Sequence, residues 1–261
     1  MVSSTTEALV LRTVDFGESD RIVHLLTPES ARLTAIAKGA RRSKKRFGGT
    51  LDLFHHLRIQ VVRRSTSRMA RLEGAVLIEP FAALRTSAAR FALGCYLLEL
   101  LARLAPEGGA RADARRLFGF ALRALHTLAS SDADGRLRLW LELHALDALG
   151  LRPELRRCVR CGEEARAARD VGFHVAEGGP VCERCEPRQA ALLRVHLGTL
   201  RALEQGLRFE LSQVGRLALA PPALEEARRL VDRFARFHLG LELRSERFLD
   251  EIMPSGAAPA A

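Results

Sequence analysis

The stretch KGARRSKKRFGGTLDLFHHLRIQVVRRSTSRMAR, residues 38–71, decides how this chain is read. It holds eleven Lys or Arg against one acid, Asp52, a formal charge of +10. The whole chain is also +10, so the remainder is close to neutral and the positive field is concentrated here. Lys38, Arg41, Arg42, Lys44, Lys45 and Arg46 crowd against Phe47, Gly48 and Gly49, and Arg63 and Arg64 close the apolar run that follows. Within the stretch the bases are not interleaved with acids, as they would be on a salt-bridged surface. A mobile basic loop between strands suits a polyanion, and a nucleic-acid backbone is the polyanion it fits best. Phe47 and Phe54 are the aromatic rings available to stack on bases, although Phe54, inside a strand, reads as core. Strict alternation would put His55 and His56 on opposite faces, one of them exposed.

Working outward, the loop is flanked by strand-like runs. TEALVLRTV (6–14), DRIVHLLT (20–27) and ARLTAIAK (31–38) precede it; LFHHLRIQVVRR (53–64) and MARLEGAVLIE (69–79) enclose its end and follow it. DFGES and TPES supply the turns between the first three. Five short strands with no intervening helix predict a small closed barrel, because an open sheet of that size leaves bare edges. Asp15, Glu18 and Asp20 in DFGESD resemble half of a divalent-metal nuclease site. A hairpin turn with Gly17 at its apex accounts for them better, since no second carboxylate group completes a two-metal centre.

After Pro80 the period changes to that of helices. LRTSAARFALGCYLLELLARLAPEGG (84–109), ARRLFGFALRALHTLAS (114–130) and GRLRLWLELHALDALGL (135–151) read as three helices, and helical patterning returns in AALLRVHLGTLRALEQGL (190–207) and LEEARRLVDRFARFHLG (224–240). Between these blocks lies a short, turn-rich, cysteine-bearing segment. The expected division is a β-barrel domain over 1–80, a helical domain over 81–153 and 189–250 interrupted by a metal-binding insertion over 154–188, and a disordered tail over 251–261.

Cys158 and Cys161 are two residues apart, as are Cys182 and Cys185, with twenty residues between the pairs. Two C-x2-C knuckles at that spacing match a tetrahedral four-thiolate zinc site, the tight turn aiming both sulfurs of a pair at one ion. Arg157, Arg160 and Arg184 are placed to hold the thiolates. Such a site has no position left for water, so the zinc is read as structural. A redox dithiol competes less well, because the βαβ context of that motif is missing. Cys95, in the apolar run FALGCYLLEL, reads as core.

Composition excludes little else. Apolar residues make up 48% and charged residues 28%, ordinary for a globular protein. No apolar run reaches the roughly 20 residues that span a bilayer. The N-terminus lacks the basic and apolar regions of a secretory signal, so the chain is read as mature from Met1 and intracellular. No P-loop is present, and no nucleophile–base pairing can be argued, so a non-enzyme is expected.

At these residues the chain resembles the bacterial RecO family of recombination and repair mediators. The resembling segments are ALVLRTVDFGESDRIVHLLTPESARLTAIAKGARRSKKRFGGTLDLF, CYLLELLARLAPEG, HALDALGLRPELRRCVRCGE and LGLELRSERFL, which together span nearly the whole length. The resemblance implies an α+β multidomain protein: an N-terminal five-stranded OB-fold, then a helical domain carrying a four-cysteine zinc-binding insertion. It implies binding of single- and double-stranded DNA, annealing of complementary strands, and partnership with RecR. It further implies loading of RecA onto DNA coated by single-stranded-DNA-binding protein, whose acidic C-terminal tail the family binds, in the cytoplasm at the nucleoid. It carries Lys38, Arg41, Arg42, Lys44, Lys45 and Arg46 over as DNA contacts and Cys158, Cys161, Cys182 and Cys185 as ligands of one Zn2+. Some members lack the cysteines. The alternative reading is a non-catalytic RNA-binding module, because OB-folds and zinc knuckles serve RNA equally well; a metal-dependent nuclease and a purely structural adaptor are more distant rivals.

Overall fold

The computed structural model describes residues 2–63, 69–108, 110–166, 170–186, 192–240 and 243–253. The tail expected to be disordered falls, over 254–261, outside them, as do Arg64 and part of the expected insertion. Two compact units are formed, Met1–Ser131 and Asp132–Ala261.

In the first unit the five predicted strands form: β1 (Val2–Phe16), β2 (Asp20–Thr27), β3 (Ala31–Ala37), β4 (His56–Arg63) and β5 (Ala70–Glu79). They close in the order β1-β2-β3-β5-β4, with β1 long enough to pair with both β2 and β4. Of the barrel's pairings among the described residues, that of β3 with β5 is parallel and the others antiparallel. Alternation sets the interior. Ala31, Leu33, Ala35 and Ala37 of β3 are buried while the residues between them are half-buried. Small side chains at Ala8, Ala35, Ala37 and Ala70 leave room for Val10, Leu25, Leu57, Ile59 and Leu72 inside a five-stranded barrel.

The segment between β3 and β4 is not a free arm. Ser43 caps a single helical turn, α1 (Lys44–Phe47), its Oγ accepting the Arg46 N–H at 3.2 Å. Ala40, Phe47 and Leu51 drop into the barrel core. Phe47 is 3% exposed and Phe54 fully buried, so neither ring is free to stack on a base, contrary to the expectation for Phe47. Phe54 adopts φ 70, which breaks the strand before β4 starts. That break explains why His55 and His56 are both buried rather than split between faces. His55 Nδ1 lies 2.9 Å from the Thr50 carbonyl and His56 Nε2 3.0 Å from the Glu7 carboxylate.

Two long helices, α2 (Ala88–Leu104) and α3 (Arg111–Ser130), belong to the same unit as the barrel. Phe54 meets Phe91 edge-on at 5.6 Å between centroids, and His56 meets Phe118 at 5.8 Å. Gly94 lets α2 approach, because a Cβ there would lie 2.8 Å from the Phe54 ring. The compact units therefore divide at Ser131, inside the stretch read from sequence as one helical domain: apolar faces of α2 and α3 are covered by the barrel.

The second unit holds α4 (Gly135–Ala148), a three-stranded sheet ordered β7-β6-β8, and the helices α5 (Leu197–Gly206), α6 (Pro221–Leu239) and α7 (Arg244–Ile252). Asp134 caps α4 by accepting the N–H groups of Arg136 and Leu137. The strands are β6 (Asp170–His174), β7 (Gly179–Val181) and β8 (Leu193–His196). Residues Leu193–His196, read as helix from sequence, pair instead with β6, so the cysteine module's sheet runs past 188. No described helix is long and apolar enough to cross a membrane.

Candidate nucleic-acid interface and cysteine centre

The basic loop is held by its backbone. Asp20 Oδ1 accepts the Gly39 N–H at 2.8 Å, Ser19 O accepts the Arg41 N–H at 3.0 Å, and Gly39 O accepts from both Arg42 and Ser43. The Gly39 N–H, aided by the Ser19 hydroxyl and the Lys38 charge, holds the Asp20 carboxyl below its ordinary value. Gly39 itself has φ 67, a turn conformation that favours glycine.

On that frame the cations are unequal. Lys38, Arg41, Arg42, Lys45 and Arg46 are exposed. Arg46 donates to the Lys38 carbonyl at 2.8 Å and lies over the Phe47 ring at 5.2 Å. Arg41 and Arg42 reach carboxylates of the β1–β2 hairpin: Asp15, near the end of β1, at 3.5 Å and Glu18, in the turn, at 3.8 Å. Lys38 and Lys45 form no ion pair among the described residues. Lys44 sits in α1. A cavity of about 550 Å³ opens beside the loop, lined among others by Thr13, Arg21, Arg41, Arg42, Ser43 and Gly48. Of the eight residues expected from sequence, Arg41 and Arg42 line it. Arg63 is exposed at the end of β4, outside that lining, and Arg64 lies outside the described residues. Arg21 was not anticipated; its outward place on β2, beside the loop's base, is visible only once β2 is paired with β3 at Ala37. The stretch itself carries no interleaved acids, so the carboxylates that meet Arg41 and Arg42 come from the β1–β2 hairpin, twenty-odd residues earlier.

The four cysteines converge. Their Sγ atoms all lie within 4.8 Å of one another, with Cys161 and Cys182 at 3.7 Å, and none forms a disulfide. Sulfurs at the corners of a tetrahedron around zinc, each about 2.3 Å from the ion, stand about 3.8 Å apart, so the donor set fits such an ion. Each knuckle is a closed turn: Gly162 N–H donates to Cys158 O at 2.8 Å and Cys185 N–H to Cys182 O at 2.9 Å. Gly162 has φ 74, as its place after the second cysteine requires. Burial alone would raise the Cys158 thiol, but backbone N–H groups of Cys182, Cys161 and Arg160 bring it down to about 6. Hydrogen bonding to Cys182, together with burial, pushes Cys185 up to about 12. Glu154 accepts the N–H groups of Leu155, Arg156 and Arg157, fixing entry into the first knuckle. Arg160 makes a two-pronged bond to Glu177 at 2.9 and 2.7 Å and also donates to Cys185 O at 2.7 Å. Arg184 pairs with Glu163 at 2.6 Å. Both arginines also feel the cysteines, as expected, Arg184 through a hydrogen bond with Cys161 and Arg160 through the charge of Cys185 and Cys158, but their strongest ties are to Glu163 and Glu177.

A five-stranded OB barrel carrying a basic loop, followed by helices and a four-thiol centre that fits zinc, defines the class: a multidomain α+β protein. Residues 1–81 match the family model described as Recombination protein O N terminal, and residues 85–247 the one described as Recombination protein O C terminal. The DNA repair protein RecO of Anaeromyxobacter sp. (strain K) is 40% identical over 94% of this chain and 95% of its own length. That of Myxococcus xanthus (strain DK1622) is 37% identical over 94% and 96%, and that of Syntrophus aciditrophicus (strain SB) 32% over 96% and 96%. The chain belongs to the RecO family of DNA repair proteins. The boundary between the two family models, at 81–85, follows the change of period at Pro80, whereas the compact units divide later, at Ser131.

Proposed function

We propose that this protein is a non-enzymatic recombination mediator. It binds single- and double-stranded DNA through Lys38, Arg41, Arg42, Lys44, Lys45 and Arg46, with Arg63 and Arg64 extending the contact, and it anneals complementary strands. With RecR it helps load RecA onto DNA coated by single-stranded-DNA-binding protein, whose acidic tail docks on the helical part. Residues 1–80 act as the DNA-binding domain and the remainder as the partner-binding body. One Zn2+, bound by Cys158, Cys161, Cys182 and Cys185, has a structural role. The work is cytoplasmic, at the nucleoid.

The observation that carries this reading is a cation array on a fixed backbone beside an open cavity. Two DNA strands repel through their phosphates. Cations held in one place lower that repulsion for both strands at once and release condensed counterions as they do so. A fixed array loses less conformational freedom on binding than a free arm would.

Strand annealing at two salt concentrations tests it. Wild-type protein accelerates annealing at low salt and less at high salt, with substrate strands left intact in Mg2+. A variant with Arg41, Arg42, Lys44 and Lys45 all changed to Glu loses that acceleration while keeping its circular dichroism. Equal acceleration by the variant overturns the assignment, and preferential competition by RNA favours the RNA-binding alternative. Metal analysis should give about one zinc per chain, the capacity of a single four-cysteine site.

A further inference from the structure

The β1–β2 hairpin ends in two acids, Asp15 near the end of β1 and Glu18 in the turn, and both reach the basic loop. Asp15 contacts Arg21 Nε at 2.9 Å through one oxygen and Arg41 Nε at 3.5 Å through the other. Glu18 contacts Arg42 at 3.8 Å, and its carbonyl accepts from Arg41 Nη1 at 3.3 Å. Arg21, Arg41 and Arg42 line the same cavity. We propose that Asp15 and Glu18 are built-in competitors for the phosphates, so that nucleic acid is taken up by exchange: a phosphate replaces a carboxylate on Arg41 and on Arg42. This rests on the reading of the loop as the nucleic-acid contact.

Three features make exchange the natural outcome. The acids and bases are kept together by backbone hydrogen bonds, Arg41 N–H to Ser19 O and Gly39 N–H to Asp20, that do not use the exchanging groups. The ion pairs themselves are long and wet: Arg42 is 75% and Glu18 93% exposed. Pairs of that kind contribute little, so a ligand of higher charge density displaces them readily. Finally, Asp15 keeps its bond to Arg21 when Arg41 turns away, so it remains in place to take Arg41 back when the ligand leaves.

The consequence is a lowered affinity and a shallower salt response. Each phosphate neutralised on a single strand releases about 0.7 of a counterion. A carboxylate that loses its guanidinium regains part of one, so net release falls. Removing the two carboxylates should therefore steepen log K against log salt by up to about one and tighten low-salt binding about three- to tenfold.

The experiment titrates a labelled oligothymidylate with the full-length protein across a salt series. Asp15→Asn/Glu18→Gln is compared with wild type and with Glu29→Gln/Glu107→Gln. The latter makes the same charge change around the far end of β2, where Glu29 meets Thr6 and Glu107 meets Arg32. The expected result is tighter, more salt-sensitive binding by the first variant, little change in the second, and loss of the gain when Arg41→Gln/Arg42→Gln is added. Equal affinities for both neutralised variants, or a gain that survives without Arg41 and Arg42, overturn the exchange while leaving the loop reading intact. Wild-type binding unaffected by the fourfold charge reversal overturns both.

Discussion

In the cysteine module, arginines meet carboxylates of the same module: Arg156 with Glu164, Arg160 with Glu177, Arg184 with Glu163, Arg194 with Glu186. In the basic loop, Arg41 and Arg42 meet acids distant in sequence, at 3.5 and 3.8 Å, while Lys38 and Lys45 pair with none among the described residues. The first arrangement uses charge for cohesion, closing a small irregular fold around a few buried side chains such as Phe173, Val181 and Val195. The second keeps charge available and obtains its cohesion elsewhere, from Phe47, Leu51 and Ala40 buried in the barrel. Arginine count alone does not separate these two regions; the location of the counter-charges does.

Breaking the metal centre should have the largest effect. In zinc-finger peptides the ion contributes an apparent 10–16 kcal/mol, roughly, to folding. Cys158→Ser/Cys161→Ser should abolish zinc in metal analysis and collapse hydrogen-exchange protection across Asp170–His174 and Gly179–Val181, with barrel amides unchanged. Retained protection in those strands without metal would show that the arginine pairs suffice on their own.

The loop's apolar anchor comes next. Phe47→Ala removes a ring that is 3% exposed, and truncations of that kind cost about 3–5 kcal/mol. Chemical denaturation should register the loss in the barrel, together with weaker oligonucleotide binding as the array loosens. A variant of normal stability would mean that the loop is seated by its hydrogen bonds alone.

Arg160→Met against Lys45→Met sharpens the contrast at single-residue level. The first should speed amide exchange around Cys185, whose carbonyl Arg160 holds, and leave oligonucleotide affinity unchanged. The second should leave exchange unchanged and weaken binding a few-fold. The reverse pattern would erase the distinction between the two regions.

The smallest effect concerns pH. Asp20 is held below its ordinary value of 3.8 chiefly by the Gly39 N–H. A carboxyl depressed on folding adds stability that is fully present above its unfolded value and disappears as pH falls through its folded one. Protection of the Gly39 amide should therefore hold at neutral pH and decline only below about pH 4, and Asp20→Ala should remove that dependence.

Strands and cysteines were legible because their signals are local. Alternation along Ala31–Ala37 and the two-residue gaps at Cys158–Cys161 and Cys182–Cys185 carry their meaning within a few residues. What sequence did not give is non-local. Phe47 stands among six cations and reads as a base-stacking ring until the barrel that swallows it is assembled. The acids facing Arg41 and Arg42 lie across a strand pair, and they read as an ordinary hairpin. His55 and His56 escaped alternation because Phe54 takes a positive φ that Phe91 and Gly94 make tolerable. Leu193–His196 runs without a break into α5, so its periodicity looked helical until β6 supplied a partner. The α7 helix follows Gly240 with too short an apolar pattern to announce itself: Leu249 is its buried residue.

The central claim is that the loop binds nucleic acid by neutralising phosphates, and salt dependence tests it most directly. With about five phosphates engaged on a single strand, log K against log salt should fall with a slope near −3.5, and reversing Arg41, Arg42, Lys44 and Lys45 should remove most of that slope together with the affinity. Absence of oligonucleotide binding even in dilute buffer, or a slope that the reversal leaves untouched, would contradict the account.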